Sequence, residues 1–318
     1  MRDPMKKATN RSAASKTNDM LRTPKTGRSR NSLAPGIAAL AAREGCSTTR
    51  YPGVVVWRMT VAQPPTPTLY AASLILVGSG EKQATLGDES FVYNADHLLV
   101  VTSPLPMFCK TIASVDEPVL SVVVEIELAL LRELLLEVDL PAAPQLEAPA
   151  RSVFGAALSR ELEDAGSRLL AYLKEEQRTR VLVRQTIREM LFLLLETPYG
   201  NLLRAITEGP SSQYAQVLRH INANFAERMT IGELADMART SVPTFHPRFK
   251  AMTGTSPLQY IKALRLTRAR QMLAAGGMVK TVAQAVGYES ESQFSREYRR
   301  FFGVSPSASS HMSPRERS

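Results

Sequence analysis

The stretch "GYESESQFSREYRRFFGVSP", Gly287 to Pro306, packs five aromatic residues and three arginines into a short polar segment. A thinner version, "TFHPRFKAMTGTSP", runs from Thr244 to Pro257. The two align residue for residue: Phe245-x3-Phe249-x4-Gly254-x-Ser256-Pro257 recurs as Phe294-x3-Tyr298-x4-Gly303-x-Ser305-Pro306, at a constant offset of 49. Each copy follows a short apolar helical segment, Ile231 to Ala238 in the first and Val279 to Val286 in the second. A short helix, a turn and a second helix, given twice, read as two helix-turn-helix units.

Local chemistry supports both units. Thr230-x-x-Glu233 has the spacing of a capping box, and Ser290-x-x-Gln293 repeats it before the second long helix. Gly287 permits a sharp turn, whereas Arg239-Thr240-Ser241 in the first copy has no glycine and must either fit an ordinary backbone or be strained. At about 100° per residue, Phe294, Tyr298, Phe301 and Phe302 fall on one side of the second helix. Ser292, Arg296, Arg299 and Arg300 fall on the other, with Gln293 at its margin. The aromatic side is suited to docking. The arginine side is suited to a DNA major groove, where arginine bonds guanine O6 and N7 and glutamine pairs with adenine N6 and N7.

The first copy has Phe245, Phe249 and Met252 as its buried stripe and Pro243, Thr244, Pro247, Lys250 and Ala251 as its outward one. Pro247 aligns with Arg296 and falls inside the helix, where a proline costs about 3 kcal/mol through a lost donor and a ring clash. The first copy is therefore expected to be the weaker reader. Between the copies, Ser256-Pro257-Leu258-Gln259 reads as an N-cap opening a long helix to Leu273. Leu258, Ile261, Leu264 and Leu266 are expected to pack that helix, with Lys262, Arg265, Arg268 and Arg270 decorating it.

Upstream the patterning differs. "VVVWRMTV" (54–61), "SLILV" (73–77), "QATL" (83–86), "SFVY" (90–93), "HLLVVTS" (97–103) and "VLSVVVEIEL" (119–128) are short, rich in β-branched residues and separated by turn signals. They suggest an antiparallel barrel or sandwich, with Pro64-Pro65-Thr66-Pro67 as a loop over its mouth. From Leu128 the period becomes helical. Phe154, Leu158 and Leu162 recur every four residues after a proline-containing break at Pro141 to Pro149. Ile187, Met190, Leu191, Leu194 and Leu195 form an apolar stripe, either for packing within the subunit or for a dimer.

Net charge is +9, unevenly spread: +7 over residues 1–30, −6 over 31–212 and +8 over 213–318. A basic segment suits a polyanion, because each Lys or Arg set against a phosphate releases counterions. Two distant cysteines, Cys46 and Cys109, fit a reducing cytosol. The sequence carries no membrane-length apolar run and no secretory leader pattern, so a cytoplasmic location is expected.

"MTIGELADMARTSVPTFHPRFKAMTGTSPLQYIKALRLTRARQML" and "VAQAVGYESESQFSREYRRFFGVSP" resemble the double helix-turn-helix domain of the AraC/XylS family of bacterial transcription regulators. "PTPTLYAASLILVGSGEKQATLGDESFVYNADHLLVVTSPLP" and "ASVDEPVLSVVVEIEL" resemble that family's regulatory domain of the AraC-N type. The resemblance implies an α+β chain: an N-terminal cupin-like antiparallel β-barrel with a helical linker, then a C-terminal all-α double helix-turn-helix domain of seven helices. The implied organisation is a disordered basic tail (1–32), the β-barrel regulatory domain (33–140), a helical linker and dimerisation region (141–212), the DNA-binding domain (213–306) with motifs at about 230–253 and 279–302, and a disordered tail (307–318). It implies double-stranded operator DNA, a small-molecule effector, RNA polymerase and a second copy of the chain as partners. By motif position the reading residues are Thr244 and Lys250 on the first helix and Ser292, Gln293, Arg296, Arg299 and Arg300 on the second. Pro247, Arg239-Thr240 and "VGSGEK" depart from the family pattern.

No catalytic, metal or cofactor role is assigned. The barrel segment holds one histidine, His97, too few for a metal-dependent barrel enzyme. Gly78-Ser79-Gly80 lacks the lysine and helix of a phosphate loop. Cys109 reads as a buried inert thiol. An effector-responsive transcription regulator is the leading reading. The alternatives are an interaction protein whose DNA binding is impaired through Pro247 and, remotely, a barrel enzyme fused to a helix-turn-helix domain.

Overall fold

The computed structural model describes residues 31–139, 152–207 and 209–311. The expected tail as far as Arg30, the break at 141–149 and residues 312–318 lie outside the described residues. The chain opens with α1 (Leu33–Leu40), followed by β1 (Gly45–Thr48), β2 (Val54–Met59), β3 (Gln63–Tyr70), β4 (Ser73–Ser79), β5 (Glu81–Leu86), β6 (Glu89–Asn94), β7 (His97–Val101), β8 (Leu105–Ile112) and β9 (Val119–Glu125). Next come α2 (Leu128–Glu137), β10 (Val153–Ala157), α3 (Arg160–Tyr172), α4 (Glu176–Leu195) and α5 (Gly200–Ala205).

All strand pairings are antiparallel. One layer runs β1-β2-β9-β4-β7 with β10 beyond β7, and the other runs β6-β5-β8-β3. The β6–β7 hairpin joins them at Asn94 and His97. The unbroken apolar run in β4 follows from burial on both faces: Leu74 and Leu76 pack under the helices, while Ile75 and Val77 line the barrel interior. A strand covered on both sides loses the polar alternation of a half-exposed one.

Several expectations are corrected. Pro64, Pro65 and Pro67 lie within β3 rather than in a loop. β3 ends the strand path and bonds only β8, with a register shift between Gln63 and Thr66, and an edge strand tolerates residues without an N–H. Phe154 lies on β10, not on a helix, and pairs with Val100 of β7. The four-residue spacing to Leu158 and Leu162 straddles a strand-to-helix junction, where the Ser159 hydroxyl caps α3 by accepting from Leu162 N–H at 3.2 Å. Val153–Ala157, within the expected helical linker, thus return a strand to the barrel, while the rest of that segment forms α3, α4 and α5. Asn31 and Ser32, assigned to the tail, are held in place: Asn31 Nδ2 donates to the carbonyls of Val77 and Ala95, each at 3.0 Å, and Ser32 N–H to Glu163 at 2.7 Å.

The α4 stripe is consumed inside the subunit. Ile187, Met190, Leu191, Leu194 and Leu195 are buried against α3 and the outer face of the barrel. Salt bridges Arg184–Glu133 and Arg188–Glu137 tie α4 to α2.

The C-terminal part comprises α6 (Gly209–Ala223), α7 (Ile231–Met237), α8 (Val242–Thr253), α9 (Pro257–Ala274), α10 (Val279–Ala285), α11 (Glu291–Phe302) and α12 (Pro306–His311). Residues 307–311, expected to be tail, are helical, and Ser309 is buried. In α9, Leu258 is 59% exposed rather than packed. The Ser256 side chain makes no capping bond, and Pro257 at the first turn leaves it one donor fewer to cap. The α9 cations are not decoration. Arg265 donates to the carbonyls of Phe225 (2.6 Å), Glu227 (2.8 Å) and Gly287 (3.2 Å), and Lys262 pairs with Glu297 at 3.0 Å.

Candidate nucleic-acid interface and barrel pocket

The two helix-turn-helix units differ at their turns. In the first, Arg239 N–H donates to Asp236 O and Thr240 N–H to Ala235 O. In the second, Gly287 N–H donates to Gln284 O and Tyr288 N–H to Ala283 O. These equivalents are 48 positions apart, whereas the helices that follow are 49 apart, so the first turn is one residue shorter. Gly287 has φ +84°, and a Cβ there would lie 2.2 Å from the Ala226 carbonyl. Arg239 occupies the same left-handed region at φ +51° without glycine's freedom, which settles the sequence alternative in favour of strain. The Thr230–Glu233 capping box forms in both directions. At Ser290 only half of it forms: the Ser290 hydroxyl accepts from Gln293 N–H at 3.3 Å, while the Gln293 amide turns to Glu297 at 3.4 Å.

On α11, Phe294 and Tyr298 are fully buried and Phe301 and Phe302 half-buried. Ser292, Gln293, Arg296, Arg299 and Arg300 are all exposed on this one helix. Among the described residues no carboxylate pairs with any of the three arginines. A row of unpaired guanidiniums on a rigid helix is a cationic surface able to fork onto phosphates or guanine edges. Behind it, Glu297 accepts from Lys262, from Tyr288 Oη at 2.9 Å and from Gln293. Burial pushes this carboxyl up, but those hydrogen bonds and the Lys262 charge outweigh it and hold the group below its ordinary 4.5.

On α8, the helix continues unbroken through Pro247, which is exposed along with Lys250. Thr244 is half-buried, and its hydroxyl lies 3.0 Å from that of Ser241. Helix α8 ends against the barrel. Gly254, at φ +70°, closes it, and a Cβ there would meet Leu86 Cγ at 2.8 Å and Gly87 N at 3.1 Å in the β5–β6 turn. Ser152 N–H reaches Met252 O at 3.4 Å. Further along, Tyr260 Oη donates to Pro104 O, and Phe108 of β8 approaches Phe301 of α11 at 6.2 Å between ring centroids.

The sequence left the effector site open; the barrel interior supplies a candidate. A cavity of about 410 Å³ is lined by apolar residues with Trp57, Lys82, Tyr93, Cys109 and Thr111 among them. Its remaining wall is α9, through Thr267, Arg270, Gln271 and Ala274. Among the described residues no carboxylate lines it. Lys82 Nζ sits 5.9 Å from the Trp57 ring centroid and 3.9 Å from Met59 Sδ. Tyr70 and Tyr93 hydroxyls lie 2.8 Å apart, with Cys109 Sγ 3.6 Å from the latter. Burial raises both phenols well above the ordinary tyrosine value, so they form a neutral hydrogen-bonding pair beside Cys109. Arg270 also stacks on Phe302 of α11, 5.1 Å from its centroid. One sequence signal pointed here: Lys82 and the fully buried Ala84 alternate on β5 and share a face.

Residues 50–202 match the family model described as AraC-type transcriptional regulator N-terminus, and residues 234–311 match a helix-turn-helix domain. Among relatives, the HTH-type transcriptional activator RhaS of Escherichia coli (strain SMS-3-5 / SECEC) is 29% identical over 140 residues, 43% of this chain and 50% of that protein. The chain thus spans about half the length of the curated relatives it matches. Among solved structures, ToxT from Vibrio cholerae aligns with TM-score 0.58 at 14% identity, over 81% of this chain and 97% of that one. A second ToxT structure, with an unsaturated fatty acid bound, aligns with TM-score 0.57 at 14% identity, over 82% and 95%. These likenesses extend the fold across both parts of the chain. The protein belongs to the AraC/XylS family of transcriptional regulators.

Proposed function

We propose that this chain is a sequence-specific DNA-binding transcription regulator of the bacterial cytosol, controlled by a small molecule held in the barrel pocket. The observation that carries this reading is the unpaired Arg296–Arg299–Arg300 row on α11, backed by a buried aromatic stripe in a duplicated helix-turn-helix unit. Helix α11 reads more of the operator than α8, because Pro247 stands where α11 presents Arg296. The bound fatty acid of the similar ToxT structure suggests an effector class. An apolar pocket with Lys82 and Arg270 as its cations and no lining carboxylate suits an amphipathic acid of that kind. Among the described residues no helix is long and apolar enough to cross a membrane. RNA polymerase and a second copy of the chain are the protein partners this function calls for.

The test is selection of bound sequences from a random DNA pool by the full chain, with and without long-chain fatty acids, followed by affinity against salt. A recovered consensus with a steep salt dependence supports the reading. A flat salt response with no sequence preference defeats it.

A further inference from the structure

A second cavity, of about 430 Å³, adjoins the barrel pocket and shares only Leu69, Ala71 and Gln271 with it. It lies at the seam between the barrel and the helices that carry the DNA-facing modules: Thr102 and Ser103 follow β7, Arg219 projects from α6 and Arg268 from α9. Its size falls within the range of small-molecule sites.

Its polar groups lack partners of matching strength. Arg268 Nε and the Thr102 hydroxyl, the latter on a residue only 4% exposed, are out of contact with solvent and find no hydrogen-bond partner among the described residues. The terminal nitrogens of Arg268 reach only neutral amide oxygens, of Asn222 and Gln271, each at 3.5 Å. Arg219 is half-buried, and burial first, then the like charge of Arg132, lower its pKa. Glu125 also lines the cavity but forms no ion pair with either arginine among the described residues. Two guanidiniums that pair with no carboxylate among the described residues, and a buried hydroxyl that finds no partner there, line one cavity and form an arrangement that an oxyanion completes.

We infer that this seam cavity is a second ligand site, distinct from the barrel pocket, for a small organic anion carrying a carboxylate or a phosphate. Arg268 and Arg219 bind the oxyanion, the Thr102 hydroxyl donates to it, and the organic part lies against Leu128 and Ile206. A molecule seated there touches the barrel, α6 and α9 at once, so its occupancy fastens the barrel to the DNA-binding helices.

The test is calorimetric titration of the full chain with inorganic phosphate, phenyl phosphate and phenylacetate at fixed ionic strength. At least one probe should bind, and Arg268→Gln or Arg219→Gln should weaken it by about tenfold or more. Arg268→Lys and Thr102→Val should weaken it less. Lys82→Met, which alters only the barrel pocket, should change it by less than about twofold. Binding of both phosphates without phenylacetate identifies a phosphate ligand, and the converse a carboxylate. Thermal melts check that each variant folds; should Arg268→Gln not fold, Arg219→Gln and Thr102→Val carry the comparison. The inference is overturned if no probe binds up to about 10 mM, if neither arginine variant changes binding, or if Lys82→Met abolishes it. None of these outcomes bears on DNA binding by α11, so this site and the regulator reading fail separately.

Discussion

The Arg265 guanidinium donates from Nη1 to the Gly287 carbonyl at 3.2 Å, so the helix between the two modules holds the turn of the second one directly. Its Nε and Nη2 simultaneously hold the carbonyls of Phe225 and Glu227, in the connection between α6 and α7. One side chain therefore fixes the spacing of both modules. Arg265→Met strips the half-buried Phe225 and Gly287 carbonyls and the exposed Glu227 carbonyl of a charged donor and should lower stability by about 2–3 kcal/mol in urea unfolding. Arg265→Lys should recover only part of this, because a point charge cannot reproduce the planar fork. Equal stability of the methionine variant would show that water replaces the fork without loss.

Arg296 sits mid-helix on the exposed face of α11, and no carboxylate among the described residues pairs with it. Arg296→Ala should cost about 1–3 kcal/mol on the preferred DNA and relax preference at a single base position. Competition assays against single-base variants of the selected site measure this. A uniform loss across all sequences would make Arg296 a phosphate contact instead.

The first module carries two local penalties, Arg239 in the left-handed region and Pro247 within α8. Arg239→Gly should raise stability by about 1 kcal/mol, since glycine adopts that backbone without a Cβ clash. Pro247→Arg restores a donor to the Pro243 carbonyl and a cation to the outward face, so it should tighten or re-register DNA binding. Footprinting and a binding isotherm together check this; an unchanged footprint and affinity would mean that α8 does not read the operator.

Acid should loosen the back of α11. The Glu297 carboxyl titrates below its ordinary 4.5 in the folded state, so its bonds to Lys262, Tyr288 and Gln293 contribute fully above that value. Their contribution falls away as pH drops through the lower, folded-state value. Glu297→Gln should flatten the fall of stability on acidification below the ordinary 4.5 while leaving the slope near neutrality unchanged. Thermal melts across that range provide the measurement.

Much of this architecture was legible because the residues repeat or alternate. The offset of 49 placed α8 and α11, and the aromatic period separated the buried from the exposed face of α11. What escaped did so for local reasons. Strand β3 hid behind three prolines that an edge position tolerates, and β10 hid because Phe154 lines up by chance with a helical period. The cations of α9 read as a solvated face, since a sequence does not show which carbonyls a neighbouring loop will offer to Arg265. The barrel pocket escaped because its wall is assembled from β5, β8 and α9, which are far apart in the chain.

Arg270 lines the barrel pocket while its other contact is Phe302, at the end of α11. The cup is thus closed by a piece of the helix-turn-helix part. Cut free of its helices, the barrel would be a vessel missing one side, and its affinities would describe a different container. A chimera that grafts this barrel onto another regulator's DNA-binding helices would inherit the floor of the receptor and lose its lid. The pocket and the helices that close it would have to be exchanged as a single piece.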